Sequence, residues 1–202
     1  PDGFVREGQL ANGTPIWRGV WTDPDGNKYN GEWANSKPSG RGVLTQLTGA
    51  FYFGDWKDGV RHGSGVLTYH NGDKYEGEWM NDKQNGHGTH TCADGTSYVG
   101  DWKDGVRHGK GVHTEPDVLK HNGEWANDQP NGRGTVMFAD GSSYVGDWKD
   151  GVCHGKGVAV HPDGLKYEGE WANGKQNGHG TQTQGDGTSY TGDWKGGCRN
   201  GK

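Results

Sequence analysis

Long hydrophobic runs are absent from this chain of 202 residues, of which only 28% are hydrophobic. No stretch approaches the roughly 18 apolar residues that a membrane-spanning helix needs. The 41 glycines also interrupt any apolar stripe of helical period, so we expect almost no helix. A conventional aliphatic core is therefore excluded, and the fold has to be stabilised in another way.

Cysteine and basic charge are scarce too. Cys92, Cys153 and Cys198 show neither paired spacing nor the spacing of a metal motif, which is typical of a reducing, intracellular compartment. Lys and Arg number 21 against 26 Asp and Glu, and both signs are spread along the chain. Because nucleic-acid binding favours a basic stripe, we predict no nucleic-acid partner.

Aromatic residues, in contrast, recur with a period of 23 residues. Tryptophan stands at this interval eight times, from Trp33 to Trp194. Each Trp follows an acid directly, a glycine by two residues and a tyrosine by four, except that His121 replaces one tyrosine. A Gly-x-Gly motif comes next in each complete unit. Such a fixed short period is typical of stacked units that support one another.

The period inside each unit is two, which indicates a strand. Alternate residues of a strand share a face, so Tyr75, Gly77 and Trp79 point one way while Glu76 and Glu78 point the other. We expect a ring from a neighbouring strand to cover the gap above the glycine. Eight equivalent acids on one face indicate a structural ladder, paired with loop Lys and Arg or with Gly-x-Gly backbone amides.

Asn-Gly and Asp-Gly pairs predict two-residue hairpin turns of type I′, which need positive φ at both central residues. These pairs stand at 71–72, 94–95, 140–141, 163–164 and 186–187. With the turn at 71–72, Tyr75 would lie opposite Thr68, and Trp79 would lie opposite Ser64. Two strands per unit then predict an all-β fold, a single-layer elongated antiparallel β-meander of tandem β-hairpins. At about 4.8 Å per strand, this twisted ribbon would be on the order of 80–90 Å long.

The segments 75–89 (YEGEWMNDKQNGHGT) and 98–112 (YVGDWKDGVRHGKGV) resemble MORN repeats. The resemblance covers roughly residues 5–202, about nine repeats in all. A degenerate N-terminal capping repeat over 1–28 has Arg6, Gly8 and Leu10 in the Tyr, Gly and Trp columns. Eight repeats over 29–202 start at 29, 52, 75, 98, 121, 144, 167 and 190, the last being truncated.

Two departures from a uniform repeat stand out. The Asp-Gly pair is lost around Pro116, just before His121, which predicts an irregular turn there. A second period of 46 residues alternates Glu-type repeats, with Glu before Trp, and Asp-type repeats, with Asp before Trp. This alternation is interpreted either as the record of a duplicated pair or as contact of one partner with every second loop.

The recurrent histidines and acids are not predicted to form a metal site or a catalytic site. His62, His108 and His154 recur 46 residues apart, which puts neighbouring copies about 20 Å apart along a ribbon, too far to share a metal ion. His87 and His179, inside Gly-His-Gly motifs, receive the same interpretation. No nucleophile and base form a catalytic constellation. We therefore predict no enzyme activity, no metal site and no cofactor.

The aromatic stripe is the feature with functional content. Its rings either serve only to stabilise the sheet, or they line a partly exposed groove for an amphipathic helix or extended peptide. The candidate partner-binding residues are Tyr29, Trp33, Tyr52, Trp56, Tyr75, Trp79, Tyr98, Trp102, Trp125, Tyr144, Trp148, Tyr167, Trp171, Tyr190 and Trp194.

The leading functional prediction is a non-enzymatic interaction scaffold that docks a partner segment within a larger assembly. The MORN resemblance implies cytoskeletal, ciliary or membrane-junction assemblies inside the cell, and self-association. One alternative is association with anionic lipid or phosphoinositide headgroups through loop cations. These cations are Lys57, Arg61, Lys103, Arg107, Lys110, Lys149 and Lys156. Another alternative is a regulatory array of a larger enzyme, since the span from Pro1 to Lys202 suggests a piece of a longer protein.

Overall fold

Strands follow one another without an intervening helix in the computed structural model, which describes residues 7–11 and 14–201. The chain divides into two units, residues 1–105 and 106–202. The first unit contains β1 (Glu7–Ala11), β2 (Thr14–Thr22), β3 (Lys28–Ala34), β4 (Lys37–Thr45), β5 (Phe51–Lys57), β6 (Val60–Thr68), β7 (Lys74–Met80), β8 (Lys83–Thr91) and β9 (Ser97–Lys103). The second contains β10 (Val106–Glu115), β11 (Leu119–Ala126), β12 (Gln129–Phe138), β13 (Ser143–Lys149), β14 (Val152–Val160), β15 (Lys166–Ala172), β16 (Lys175–Thr183), β17 (Ser189–Lys195) and β18 (Cys198–Arg199).

Within each unit every strand pairs antiparallel with the next one along the chain. The predicted all-β meander is confirmed over the described residues. No described residue belongs to a helix long and apolar enough to cross a membrane. Of the predicted capping repeat, Arg6 lies outside the described residues, while β1 and β2 form a hairpin; its capping role stays a prediction.

Two kinds of turn alternate, and the type I′ turns are not where the sequence predicts them. They follow the tryptophans, as between β7 and β8, where Asn81 (φ 51°) and Asp82 (φ 65°) both have positive φ. Turns of this kind lie at 35–36, 58–59, 81–82, 104–105, 127–128, 150–151, 173–174 and 196–197. Short polar residues and glycine tolerate this left-handed conformation, which explains their placement.

The predicted type I′ turns at the Asn-Gly and Asp-Gly pairs are wrong, because these pairs sit in wider loops. In the loop between β6 and β7, Gly72 has a φ of 90°, whereas Asn71 is not left-handed. The Gly72 amide donates to the Tyr69 carbonyl at 3.0 Å, and the Tyr69 amide donates to the Asp73 carbonyl at 2.8 Å. A three-residue loop with a left-handed glycine produces this pattern.

The wider loop shifts the strand register by one residue from the predicted pairing. Tyr75 lies opposite Leu67 instead of Thr68, and Trp79 lies opposite Gly63 instead of Ser64. In the observed register a glycine faces a glycine across every full strand pair of the repeats, for example Gly65 opposite Gly77. The facing glycines leave a space that only a ring lying flat on the sheet can fill.

A tyrosine of the same strand, and not a ring of a neighbouring strand as predicted, fills that space. Above the pair Gly54 and Gly65, a Cβ on either residue would overlap the Tyr52 hydroxyl. The first glycine of each Gly-x-Gly has a different function, since it forms a β-bulge with positive φ, as at Gly63 (φ 62°). Each motif thus needs both of its glycines, for separate reasons.

The turn before His121 differs from the other loops, as predicted. Asp117 has a φ of 56°, and the Val118 amide donates to the Glu115 carbonyl at 3.2 Å. The left-handed residue directly after Pro116 is the arrangement of a type II turn, in which proline precedes the position that needs positive φ. The Asp-Gly pair can therefore be lost without losing the hairpin.

Gly65→Ala should destabilise the protein by about 1–3 kcal/mol, because the new Cβ overlaps the Tyr52 ring where no space exists. The matched control is Gly134→Ala, because the shorter side chain of His121 replaces the tyrosine above this glycine. A Cβ on Gly134 would lie 2.9 Å from His121 Nε2. Urea unfolding followed by tryptophan fluorescence should show the larger loss for Gly65→Ala. Equal losses would contradict the tyrosine-over-glycine packing.

Candidate functional site

The aromatic stripe forms an edge-to-face ladder within each unit. The Tyr52 ring lies between two tryptophans, with ring centroids 5.2 Å from Trp56 and 5.3 Å from Trp79 and interplanar angles of 86° and 82°. The Tyr52 hydroxyl donates to the Asp55 carbonyl at 3.0 Å, and Trp79 Nε1 donates to the Gly65 carbonyl at 3.2 Å. Every polar atom of the rings at this step is therefore satisfied inside the ladder.

Mutual packing buries most of these rings. At most 8% of the surface is exposed in Tyr29, Trp33, Tyr52, Trp56, Tyr75, Trp79, Tyr98, Trp102, Trp125, Tyr144, Tyr167 and Trp194. The prediction of a partly exposed aromatic groove is wrong for these residues, because each ring presents its edge to the face of its neighbour and covers it. Trp148, Trp171 and Tyr190 are half-buried. Contact of a partner with the stripe stays a prediction.

The acids before the tryptophans link neighbouring strands on the opposite face. Asp55 accepts a hydrogen bond from the Ser64 amide at 2.9 Å, inside the bulge, and forms an ion pair with Arg41 at 2.9 Å. The same amide bond recurs from His87 to Glu78, from Arg133 to Glu124 and from Lys156 to Asp147. Both predicted partners of the acids, basic side chains and Gly-x-Gly amides, are confirmed.

An arginine clamp joins each of two Asp-type repeats to the following Glu-type repeat. The backbone amide and Nε of Arg61 both donate to Asp82 Oδ1 at 3.0 Å, and Nη2 donates to the Asp82 carbonyl at 2.9 Å. The Arg61 guanidinium lies 4.4 Å from the centroid of the Trp79 ring. Arg107 repeats these contacts on Asp128, 4.5 Å over the ring of Trp125. The clamp thus recurs once with the 46-residue period, each time between an Asp-type repeat and the following Glu-type repeat.

The third clamp is missing because both of its partners are replaced. Cys153 stands in the arginine column and Gly174 in the aspartate column, and only the backbone bond from the Gly174 amide to the Cys153 carbonyl remains, at 2.9 Å. Trp171, the ring in the equivalent place, is half-buried, whereas Trp79 and Trp125 are each 4% exposed. Burial raises the pKa of the Cys153 thiol to about 11, so it stays protonated at neutral pH.

His121 is a defect in the ladder. It is 3% exposed and packs against Trp125 and Trp148, with centroids 5.2 and 4.7 Å away. His121 Nε2 and Trp148 Nε1 are buried without a hydrogen-bond partner. A Cβ placed on Gly134 would lie 3.2 Å from Trp148 Cδ1. The Trp148 ring therefore occupies part of the space that the tyrosine ring fills in the other repeats. Burial lowers the pKa of His121 to about 4.

Two equivalent hollows lie on the sheet face opposite the rings, one in each unit; we call them the second-face hollows. In the first, of about 310 Å³, Phe53 faces Val66 across the strands, beside Arg41, Glu76 and Glu78.

The second hollow, of about 720 Å³, has the equivalent lining four repeats later. Val145 faces Val158 there, beside Arg133, Glu168 and Glu170. The sequence analysis did not predict these hollows. The alternation of residues within a strand nevertheless places their lining side chains on the face opposite the rings.

The loop cations predicted to contact headgroups fall into two groups. Arg61 and Arg107 are held in the clamps and cannot reach a membrane without breaking them. The lysines are exposed, namely Lys57, Lys103, Lys110, Lys149 and Lys156. Lipid binding stays a prediction. Of the histidines, His87 and His179 each place Nδ1 within 3.3 Å of a carboxylate, that of Asp101 or Asp193.

Comparison with known proteins identifies the class. The model of the MORN repeat matches residues 29–49, 52–74, 75–97, 98–117, 121–143, 144–166, 167–189 and 190–202. Because these segments make up most of the chain, the protein belongs to the MORN repeat family. None of the curated proteins matches the chain.

Among solved structures, the chain is similar to the SAS-4 (dCPAP) TCP domain of Drosophila melanogaster in complex with a proline-rich motif of Ana2. That pair is 14% identical, with a TM-score of 0.47 and coverage of 88% of this chain and 90% of that one. The E1021V mutant of the TCP10 domain of Danio rerio CPAP is 12% identical, with a TM-score of 0.45 and coverage of 94% and 95%.

His121→Tyr should stabilise the protein by about 1 kcal/mol at pH 7, since a phenol would supply the hydrogen bond that the imidazole lacks. It should also flatten the pH profile. The pKa of His121 is lower in the folded state than in the unfolded state. The free energy of unfolding therefore falls by about 1.4 kcal/mol per pH unit as the pH falls from 6.5 towards 4. Urea unfolding at pH 7 and 5 should show wild type losing about 2 kcal/mol more than the variant. Equal losses would contradict a buried neutral imidazole.

Cys153→Arg with Gly174→Asp should rebuild the third clamp. Asp82 and Asp128 occupy the equivalent turn position with φ of 65° and 67°, so aspartate fits where Gly174 has a φ of 75°. The double variant should gain about 1–2 kcal/mol, more than the sum of the two single changes, from a charge-assisted hydrogen bond and a cation–π contact. A double-mutant cycle measures this coupling, and a value of zero would contradict the clamp.

Proposed function

We propose that this chain is a non-enzymatic interaction scaffold that docks an extended segment of a partner protein in the second-face hollows. The observation that carries the proposal is their recurrence at equivalent positions, each with an apolar pair beside two carboxylates. Phe53 and Val145 are 47% and 46% exposed, whereas nearly all ladder rings are covered. Apolar side chains exposed in a concave, polar-rimmed surface favour protein docking.

The lining defines the partner's chemistry. An apolar side chain of the partner would cover the Phe53–Val66 or Val145–Val158 pair. Lysine or arginine next to it would meet the carboxylates of Glu78 or Glu170, or would replace Lys74 on Glu76 or Lys166 on Glu168. Since one such hollow lies in each unit, each unit can hold an extended segment of a partner.

A library of random 16-residue peptides displayed on phage, selected on the whole protein, tests the proposal. Selected peptides should combine apolar and basic residues. Their affinity should fall at least tenfold in Val145→Asn with Val158→Thr. Other repeats carry Asn122 and Thr135 in these columns, so the fold accepts both changes.

The matched control is the clamp variant Cys153→Arg with Gly174→Asp, which covers Trp171 on the ring face and leaves the hollow unchanged. Retained binding in this control, with loss in the hollow variant, supports docking on the second face. Loss of binding in the clamp variant, with binding retained in the hollow variant, would indicate docking on the aromatic stripe and would overturn the proposal.

A further inference from the structure

We propose that Asp73, His90 and Cys92 form a Zn²⁺ site that ties together two neighbouring loops of the first unit. Asp73 ends the loop between β6 and β7, His90 lies near the end of β8, and Cys92 opens the loop that follows β8. Their candidate ligand atoms all lie within 4.8 Å of one another, and all three residues are half-buried. The site lies outside the second-face hollows and is independent of the proposed docking.

The separations fit a tetrahedral zinc ion. Zn–S of about 2.3 Å with Zn–N and Zn–O of about 2.0–2.2 Å puts ligand atoms about 3.4–3.6 Å apart in a tetrahedron. Cys92 Sγ and His90 Nδ1 are already 3.7 Å apart. Because all the ligand atoms lie within 4.8 Å of one another, metal binding would shorten any separation by at most about 1.4 Å. Thiolate, imidazole and carboxylate are the three ligand types that zinc prefers in proteins.

Neighbouring groups already orient two of the three ligands. Asp73 Oδ1 accepts the Ala93 amide at 3.0 Å, and Asp73 Oδ2 accepts Asn71 Nδ2 at 2.9 Å. The His90 ring packs edge-to-face between Tyr69 and Trp102, at 6.3 and 6.4 Å between centroids. Such second contacts limit the rotamers that a ligand has to sample before a metal binds.

The repeat requires none of the three residues, although His113 follows His90 in the same column. Four repeats later, Gln182 and Gln184 stand at the positions equivalent to His90 and Cys92. Two repeats earlier, Asn27 stands at the position equivalent to Asp73. Asn27 Oδ1 accepts the Leu47 amide at 3.1 Å, as Asp73 does with the Ala93 amide, so the loop contact needs no carboxylate. Only the repeat pair that contains Asp73, His90 and Cys92 combines a carboxylate, an imidazole and a thiol in these columns.

The ligands also come from separate loops, so metal binding has a structural consequence. An ion on Asp73 and Cys92 would connect the loops at the same sheet edge across one repeat, and would stabilise the folded state because the unfolded chain does not preform the site. Three protein ligands leave a fourth position for water or for a donor atom from another molecule.

Titration of the whole protein with Co²⁺, as a spectroscopic substitute for Zn²⁺, tests the site. Wild type should develop a thiolate-to-cobalt charge-transfer band in the near ultraviolet with one ion per chain, and Zn²⁺ should remove the band by displacement. Cys92→Ser should abolish the band, whereas the matched control Cys153→Ser should retain it. Absence of a band in wild type, or its persistence in Cys92→Ser, would overturn the proposal.

The chain supplies conservative variants for the other two ligands. Asp73→Asn and His90→Gln place in these columns residues that occur in other repeats, and both should fold. Each should weaken Zn²⁺ binding at least tenfold by calorimetry, and each should lose the rise in unfolding temperature that Zn²⁺ produces in wild type. An unchanged affinity in both variants would show that the ion binds elsewhere.

Discussion

The edge-to-face contact between tyrosine and tryptophan, seated on a pair of facing glycines, is the constraint on which the rest of the fold depends. Each such contact contributes about 0.5–1.5 kcal/mol beyond the burial of its area, and Tyr52 makes two of them. The glycines are required because any Cβ would occupy the position of the ring. The ladder therefore replaces the aliphatic core that this composition cannot provide, and it uses one entire face of the sheet.

The arginine clamp joins repeats in pairs at two places in the array. Arg61 reaches forward to the turn of the next repeat and covers its tryptophan, so this Asp-type repeat is bonded to its Glu-type successor. Cys153 and Gly174 stand in place of both the arginine and the aspartate, so neither charge is left without its partner. The junction between these two repeats therefore lacks the side-chain contacts that the two other Asp-to-Glu junctions have.

The sequence predicts the meander and the bonding of the acids, because both follow from spacing alone. It does not predict the register, since Asn71–Gly72 suits both a two-residue turn and a wider loop with one left-handed glycine. It does not predict the burial of the rings either, because alternation shows which face a ring occupies and not how neighbouring rings tilt. Asp73 and His90 are 17 residues apart, so no local motif signals that they meet.

In the proposed function, the two faces of the sheet separate the requirements of folding from those of recognition. In the eight repeats over 29–202 the Tyr, Gly and Trp columns depart from the pattern once, at His121, and this change leaves two buried nitrogens without partners. The columns between them carry Phe53, Glu76 or Val145 without disturbing the ladder, because their side chains point away from it. Residues on this face can therefore differ from one repeat to the next without a change in the ladder. The proposed docking therefore uses side chains of the second face, whereas His90 of the proposed zinc site lies on the ring face, against Trp102.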